Sequence, residues 1–160
     1  MVAPLTRSEY RRSAATVVAV DCAARVAPID DALRDDYARV LLSAYRGTVD
    51  DEGETEVEAL AAIDHYLRYV DRGTSVVLTV DGAVAAFAWV VTVGDMNYID
   101  PVVVTSEHKR CGLGRAAVSA ALQRLGLVDV GATITDGNVA SERLFASLGF
   151  ARVGAWPLTS

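Results

Sequence analysis

The segment His108-Lys109-Arg110-Cys111-Gly112-Leu113-Gly114-Arg115-Ala116 constrains this chain more than any other. A β-prone run, Val102-Val103-Val104-Thr105, leads into it. A helical pattern with apolar Leu113, Ala117, Val118, Ala121, Leu122 and Leu125 follows. Two glycines one residue apart let the backbone approach a ligand with no Cβ in the way. The first-turn N–H groups and the helix dipole then face whatever sits there. Lys109, Arg110 and Arg115 add full positive charges. Together these parts form a cradle for a pyrophosphate. A loop of glycines and solvated basic residues is the plain alternative.

The 160 residues fit a single domain over 1–160, with residues 1–10 read as a loose N-terminal end. With 52% hydrophobic and 22% charged residues, a disordered chain is excluded. The net charge of −6 argues against a general nucleic-acid binder. No apolar stretch is long enough to span a bilayer, so no membrane role is expected. The first seven residues carry no signal-peptide core. Cys22 and Cys111 lack metal-ligand spacing, which points to free thiols, no metal and a cytoplasmic location.

Two β-prone runs, Thr16 to Val20 and Arg25 to Ile29, compete for the place of first strand. Leu33, Tyr37, Val40, Leu41, Ala44 and Tyr45 then share a helical face, capped by Asp30 or Asp31 and stopped by Gly47. Thr55-Glu56-Val57-Glu58 is a capping box opening a second helix with Leu60, Ile63, Leu67 and Val70 inward. Val76 to Val80 and Ala83 to Val93 flank the tight-turn pair Asp81-Gly82. Gly94-Asp95 turns the chain into a third strand, Met96 to Thr105, in which Pro101 demands a bulge or splay. After the glycine loop and its helix come a short strand at Ala132 to Thr135, a helix from Asn138 to Leu148 and a last strand from Phe150 to Trp156. The fold class is therefore mixed α/β, with a mostly antiparallel sheet.

Gly112-Leu113-Gly114-Arg115-Ala116-Ala117 also fits the relaxed dinucleotide fingerprint, and Asp136 stands near the place of a ribose-binding acid. Against this, seven residues, Thr105 to Cys111, separate the strand from Gly112. The strands before the loop are joined by tight hairpins, not by crossover helices.

A second motif decides the comparison. Lys109-Arg110-Cys111-Gly112-Leu113-Gly114 resembles the Arg/Gln-x-x-Gly-x-Gly/Ala signature of the GCN5-related N-acetyltransferases (GNAT). The run from Asn138 through Ser141, Leu144 and Phe145 to Gly149-Phe150 resembles that family's Asn-x-x-Ala/Ser-x-x-Leu-Tyr-x-x-x-Gly-Phe helix. Both motifs occur in the family's order and spacing. The resemblance implies a splayed central sheet flanked by helices, with acetyl-CoA as acyl donor, an amine as acceptor and no metal.

By that resemblance, Arg110, Cys111, Gly112, Leu113, Gly114 and Arg115 hold the pyrophosphate with main-chain N–H groups, and Lys109 stands where Arg or Gln is usual. Val102, Val103 and Val104 pair with the pantetheine arm, and the Val104 N–H polarises the thioester carbonyl. Asn138 bonds the pantetheine, caps its own helix, or does both. Phe145 occupies the place of a tyrosine that protonates the departing thiolate, leaving Ser141, Tyr98 or water as substitutes. Tyr98 also takes the position of a glutamate base used by some relatives, so Asp100 becomes the nearest carboxylate. Its other reading is a turn carboxylate facing solvent beside Pro101. His65 reads as a surface histidine, and His108 as a neighbour of the phosphates.

Tyr45, Asp50, Asp51, Glu52 and Glu54, between the first two helices, are the candidate acceptor-binding residues. Their plain reading is a solvated acidic helix start. Three functions stay in play: an N-acetyltransferase acting on a small-molecule or protein amine, a non-catalytic acyl-CoA-binding module, and a dinucleotide-dependent oxidoreductase. Pairing of sheet edges into a homodimer is compatible with all three.

Overall fold

The computed structural model describes residues 6–12 and 24–155. The competing run Thr16 to Val20, Cys22 and Trp156 lie outside the described residues. Seven strands form one sheet: β1 (Arg7–Arg12), β2 (Arg25–Ala27), β3 (Val76–Val80), β4 (Ala83–Val93), β5 (Met96–Val104), β6 (Val130–Thr135) and β7 (Ala151–Ala155). Four helices accompany them: α1 (Arg34–Tyr45), α2 (Glu56–Tyr69), α3 (Leu113–Leu125) and α4 (Val139–Ser147). The strand order is β2-β3-β4-β5-β6-β1-β7. Every pairing is antiparallel except β5 with β6. Among the described residues no helix is long and apolar enough to cross a membrane.

Most local signals behave as the sequence predicts. Thr55 and Glu58 complete the capping box of α2. Asp30 accepts from the Ala32 N–H, but what it caps is a short 3-10 turn; α1 itself follows Leu33 with no side-chain cap, a departure from the expected Asp30 or Asp31 cap. Asp81 and Gly82 both adopt positive φ at the β3–β4 hairpin, as the tightest turns require.

The N-terminus does not. Residues 7–12 are not a loose end. They form β1, in the sheet interior between β6 and β7. Tyr10 is the only apolar residue of this strand, so no hydrophobic alternation announces it. Side-chain polar bonds anchor it instead. Thr6 and Ser8 donate to Asp136 at 2.6 and 2.5 Å. Arg152 donates to the Ser8 hydroxyl at 2.9 Å, and the buried Arg12 donates Nε–H to the Leu148 carbonyl at 2.8 Å. Asp136 is therefore engaged in fastening β1.

Two apolar clusters cover the sheet. On one face α1 and α2 enclose Phe87 and Trp89, whose rings stack at 4.3 Å, with Tyr37 edge-on to both. On the other, Ala117, Val118, Ala121 and Leu122 of α3 join Phe145, Leu148 and Phe150.

The feature that positions the site is the parting of β5 from β6. Their pairing covers only Asn97 and Tyr98 against Val130 and Gly131. Gly131 is needed there, because a Cβ would fall 2.4 Å from the Tyr98 ring. The register between β4 and β5 then slips: Ala88 faces Val102 and Val90 faces Ile99, so Asp100 and Pro101 together oppose Trp89. This is the bulge that Pro101 demands. Beyond it β5 leans away from β6 and a cleft opens between them.

Candidate active site

The cleft is bounded on one side by the main chain of β5. Residues across an antiparallel pair alternate between exchanging both hydrogen bonds and exchanging none. The Thr105 N–H donates to the Ala85 carbonyl at 2.9 Å, which makes Thr105 and Ala85 a bonded pair. Val104 and Val102 are then non-bonded partners of Ala86 and Ala88, while Val103 bonds Phe87. The N–H and C=O of Val102 and Val104 consequently face the gap. An extended ligand can add to this edge as a strand would.

At one end of the edge lies the glycine loop. Gly112 is the N-cap of α3 with φ of 79°, a left-handed conformation that costs a residue with a Cβ about 1 kcal/mol or more. No side chain caps α3 and no acid stands in its first turn. By contrast α2 and α4 are capped by Thr55 and Asn138. The α3 terminus thus keeps its first-turn amides for an anion. Gly114 packs closely: a Cβ there would meet Leu144 Cδ1 at 3.0 Å and Val104 Cγ2 at 3.4 Å. These features fit a diphosphate followed by an extended arm.

The basic side chains divide their work. Arg110, held at φ of 64°, lines the cleft. Lys109 also lines it, but its ammonium donates to the Ala44 carbonyl at 2.7 Å and so closes the C-terminal end of α1. Ser43 and Ser106 hydroxyls meet at 2.9 Å and dock the loop on the same helix. Arg115 does not line the cleft; it bonds Ser147 of α4. Leu113 is buried in the core and Cys111 is exposed. His108 bonds Thr105 at 2.7 Å, within the loop.

The cofactor-side cleft, with about 970 Å³ of free space including its open mouth, is lined by Val102, Val103, Val104, Lys109, Arg110 and Gly114 among others. Next to it, sharing part of its wall, lies a second, more polar pocket between the parted strands. Arg7, Tyr45, Asp50, Tyr66, Asp100, Thr135 and Phe145 line that pocket. Tyr45, Asp50, Val102, Asn138 and Ser141 line both. They mark the junction where an acyl donor and an acceptor would meet.

Asp100 does not face solvent as a turn carboxylate would. It lines the inner pocket, and the Tyr66 hydroxyl donates to it at 3.4 Å. Burial raises its pKa above the ordinary carboxylate range; Arg7 and the Tyr66 bond oppose the rise, and the charge of Asp50 adds to it. Burial likewise raises both Tyr45 and Tyr66, with Asp100 contributing, so both phenols stay protonated.

Asp50 is the only one of the four loop acids to line the cleft. It accepts from the Thr135 hydroxyl at 2.5 Å and from the Asn138 amide at 2.8 Å, which straps the α1–α2 connection across to β6 and α4. Asn138 also accepts from the Ser141 N–H at 3.1 Å, so it caps α4 and holds Asp50 at once. Asp51, Glu52 and Glu54 line neither cavity. Asp51 accepts from the Gly47 and Gly53 N–H groups at 2.9 and 3.0 Å, which lowers its pKa. Glu54 accepts from the Glu52 N–H at 3.2 Å. Those three acids shape the loop.

Tyr98 is also placed elsewhere. It lines neither cavity, and its hydroxyl donates to Glu9 of β1 at 2.9 Å. Phe145 sits on the pocket wall, edge-on to Phe150 at 4.9 Å, and brings no proton. His65 is exposed and packs on Tyr69. Sequence reasoning missed Arg7, Tyr66 and Thr135. Tyr66 lies three residues after Ile63 on the inward face of α2, which is a usable signal. Arg7 and Thr135 give none, since each depends on the β1–β6 pairing that sets them opposite each other.

Comparison with solved structures returns the same architecture. A GNAT-family protein from Novosphingobium aromaticivorans matches with a TM-score of 0.66 at 15% identity, over 95% of this chain and 62% of that one. The ribosomal-protein-S18-alanine N-acetyltransferase of Escherichia coli matches with a TM-score of 0.65 at 21% identity, over 81% and 79%. AAC(6')-Iy, in complex with the bisubstrate analog CoA-S-monomethyl-acetylneamine, matches with a TM-score of 0.62 at 12% identity, over 87% and 98%. The chain spans 62% of the first of these, and 59% and 49% of two further matches. No curated protein matches the sequence. The family model described as Acetyltransferase (GNAT) family matches residues 33–150, from the start of the first helix to the close of the last. With that model covering most of its length, and the parted sheet and glycine loop in place, the chain belongs to the GNAT acetyltransferase family.

Proposed function

We propose that this chain is an acetyl-CoA-dependent N-acetyltransferase that delivers an acetyl group directly to a primary amine. The observation that carries the reading is a pair of adjoining pockets that share Tyr45, Asp50, Val102, Asn138 and Ser141 in their walls. An uncapped helix N-terminus and Arg110 stand at one end, the inward-facing main chain of Val102 and Val104 along their length, and two carboxylates at the other end.

Each part has a task. The α3 amides and Arg110 bind the diphosphate. Val102 and Val104 align the pantetheine arm, and the Val104 N–H donates to the thioester oxygen as charge builds on it. Asp50, fixed by Thr135 and Asn138, holds the incoming ammonium at the junction. Asp100 takes the proton that the ammonium must lose, and its raised pKa brings it closer to the value a general base needs. The amine nitrogen then bonds the carbonyl carbon and the carbon–sulfur bond breaks. The second amine proton ends on the CoA sulfur. A thiolate with a pKa of about 8.5 leaves without a strong acid, so Phe145 is tolerated. The Ser141 and Tyr45 hydroxyls, both at the junction, solvate it.

The test uses the whole chain. Acetyl-CoA at a hundredfold excess over its Kd is expected to stabilise the protein by about 2.7 kcal/mol, read as a rise in Tm, while NAD does nothing. Thiol release is expected only when an amine is added. Stabilisation by NAD in place of acetyl-CoA would restore the oxidoreductase reading. Binding of acetyl-CoA with no amine-dependent thiol release would leave a binding module.

A further inference from the structure

We propose that Arg7 makes the inner pocket select an amine that also bears a carboxylate, an α-amino acid or a small relative, over a plain amine or polyamine. This rests on the acetyl-transfer reading above and names the acceptor class for the same site.

Five titratable side chains line the inner pocket: Asp50, Asp100, Tyr45, Tyr66 and Arg7. The first four suit an ammonium ion, as carboxylates and as phenols that stay protonated and can turn an oxygen toward it. Arg7 does not, because a guanidinium repels a second cation. Nor does it serve the diphosphate, since it lines the inner pocket and not the cofactor-side cleft, where Lys109 and Arg110 stand. Among the described residues no carboxylate is in ion-pair contact with it. Its main chain is set by pairing of β1 with β6, Arg7 opposite Thr135, the residue whose hydroxyl holds Asp50. Arg7 is exposed while Asp50 and Asp100 are partly covered, so the cation lies nearer to solvent than the anions. An amino acid entering ammonium first would meet carboxylates inward and a planar donor fork behind. That fork matches a carboxylate through two parallel hydrogen bonds. A diamine entering the same way would leave its second ammonium against Arg7.

Matched acceptors that differ only by the carboxylate give the test: leucine with isopentylamine, and lysine with cadaverine. In the native protein kcat/KM is expected to favour the acid-bearing member of each pair by about tenfold or more. Arg7→Met should bring that ratio near one, and Arg7→Lys, a charge without the fork, should recover part of it. A native ratio near one would overturn the proposal. So would a ratio that survives Arg7→Met, or an equal loss for both members, which would make Arg7 a general screen for the two aspartates. A second readout needs no turnover: thermal stabilisation of the CoA-saturated protein by leucine against isopentylamine. Arg7-dependent stabilisation by leucine with no acetylation of any acceptor would sink the transfer reading and keep the selectivity. Stabilisation by neither would sink the selectivity.

Discussion

Asp100 and Asp50 are two carboxylates of one pocket with different surroundings. Asp50 accepts two strong hydrogen bonds, whereas Asp100 has one long bond from a phenol and is pushed upward by burial. The sign of the Asp100 effect on stability follows. A carboxyl whose folded pKa is raised favours the fold most below its ordinary value of 3.8, and that contribution is lost as pH rises through the folded value. At neutral pH the ionised Asp100 is therefore a burden on stability. Asp100→Asn is expected to hold or raise Tm at pH 7 while kcat/KM falls by about 10²- to 10⁴-fold. The native pH–rate profile should show an acid limb above the ordinary carboxylate range, absent in the variant. A variant that lost Tm and activity together would mark Asp100 as structural. The sequence placed this carboxylate beside Pro101 but not its direction, because which way a bulged residue turns depends on the strand across from it.

At the scale of elements, the connection between α1 and α2 is held from both sides. Within itself, Asp51 gathers the Gly47 and Gly53 amides. Across the cleft, Asp50 reaches Thr135 of β6 and Asn138 of the α4 cap. The four acids of this loop look alike in sequence, since each stands near a helix start where negative charge is favoured. Only contact with a distant strand separates Asp50 from the others. Asn138→Ala removes a cap worth about 1 kcal/mol and frees Asp50. A double-mutant cycle of Asn138→Ala with Asp50→Ala, read by denaturant unfolding, is expected to show a coupling of about 0.5–3 kcal/mol. Both single variants should raise the KM for the amine more than they change the Kd for acetyl-CoA. Additive effects on stability, or a larger change in CoA binding, would remove the strap from the acceptor site.

The whole sheet depends on a strand whose sequence is nearly silent. Between β6 and β7 stands β1, and it supplies Tyr10 to the core, Glu9 to Tyr98 and Arg7 to the pocket. Removal of residues 1–12 would leave β6 and β7 without a partner between them and expose two sheet edges. Such a truncation is expected to lose its cooperative thermal transition and to aggregate, as judged by calorimetry and light scattering. A truncated chain that melted cooperatively with an unchanged Tm would return these residues to the role of a loose end.

What the sequence determined by itself is short in range. The strand–glycine loop–helix unit, the capping box of α2, the hairpin at Asp81-Gly82 and the bulge at Pro101 each rest on neighbours within a few residues, where backbone sterics and local hydrogen bonds decide the outcome. Those signals sufficed for the fold class and for the glycine loop that opens α3. The tertiary structure alone decided the inner pocket. Arg7, Asp50, Tyr66, Asp100 and Thr135 come from five separate segments and converge because β1 inserts beside β6 and because β5 parts from β6. Polar side chains that find their partners across such distances leave no period and no spacing in the chain, so their meeting could be seen only once the sheet was assembled.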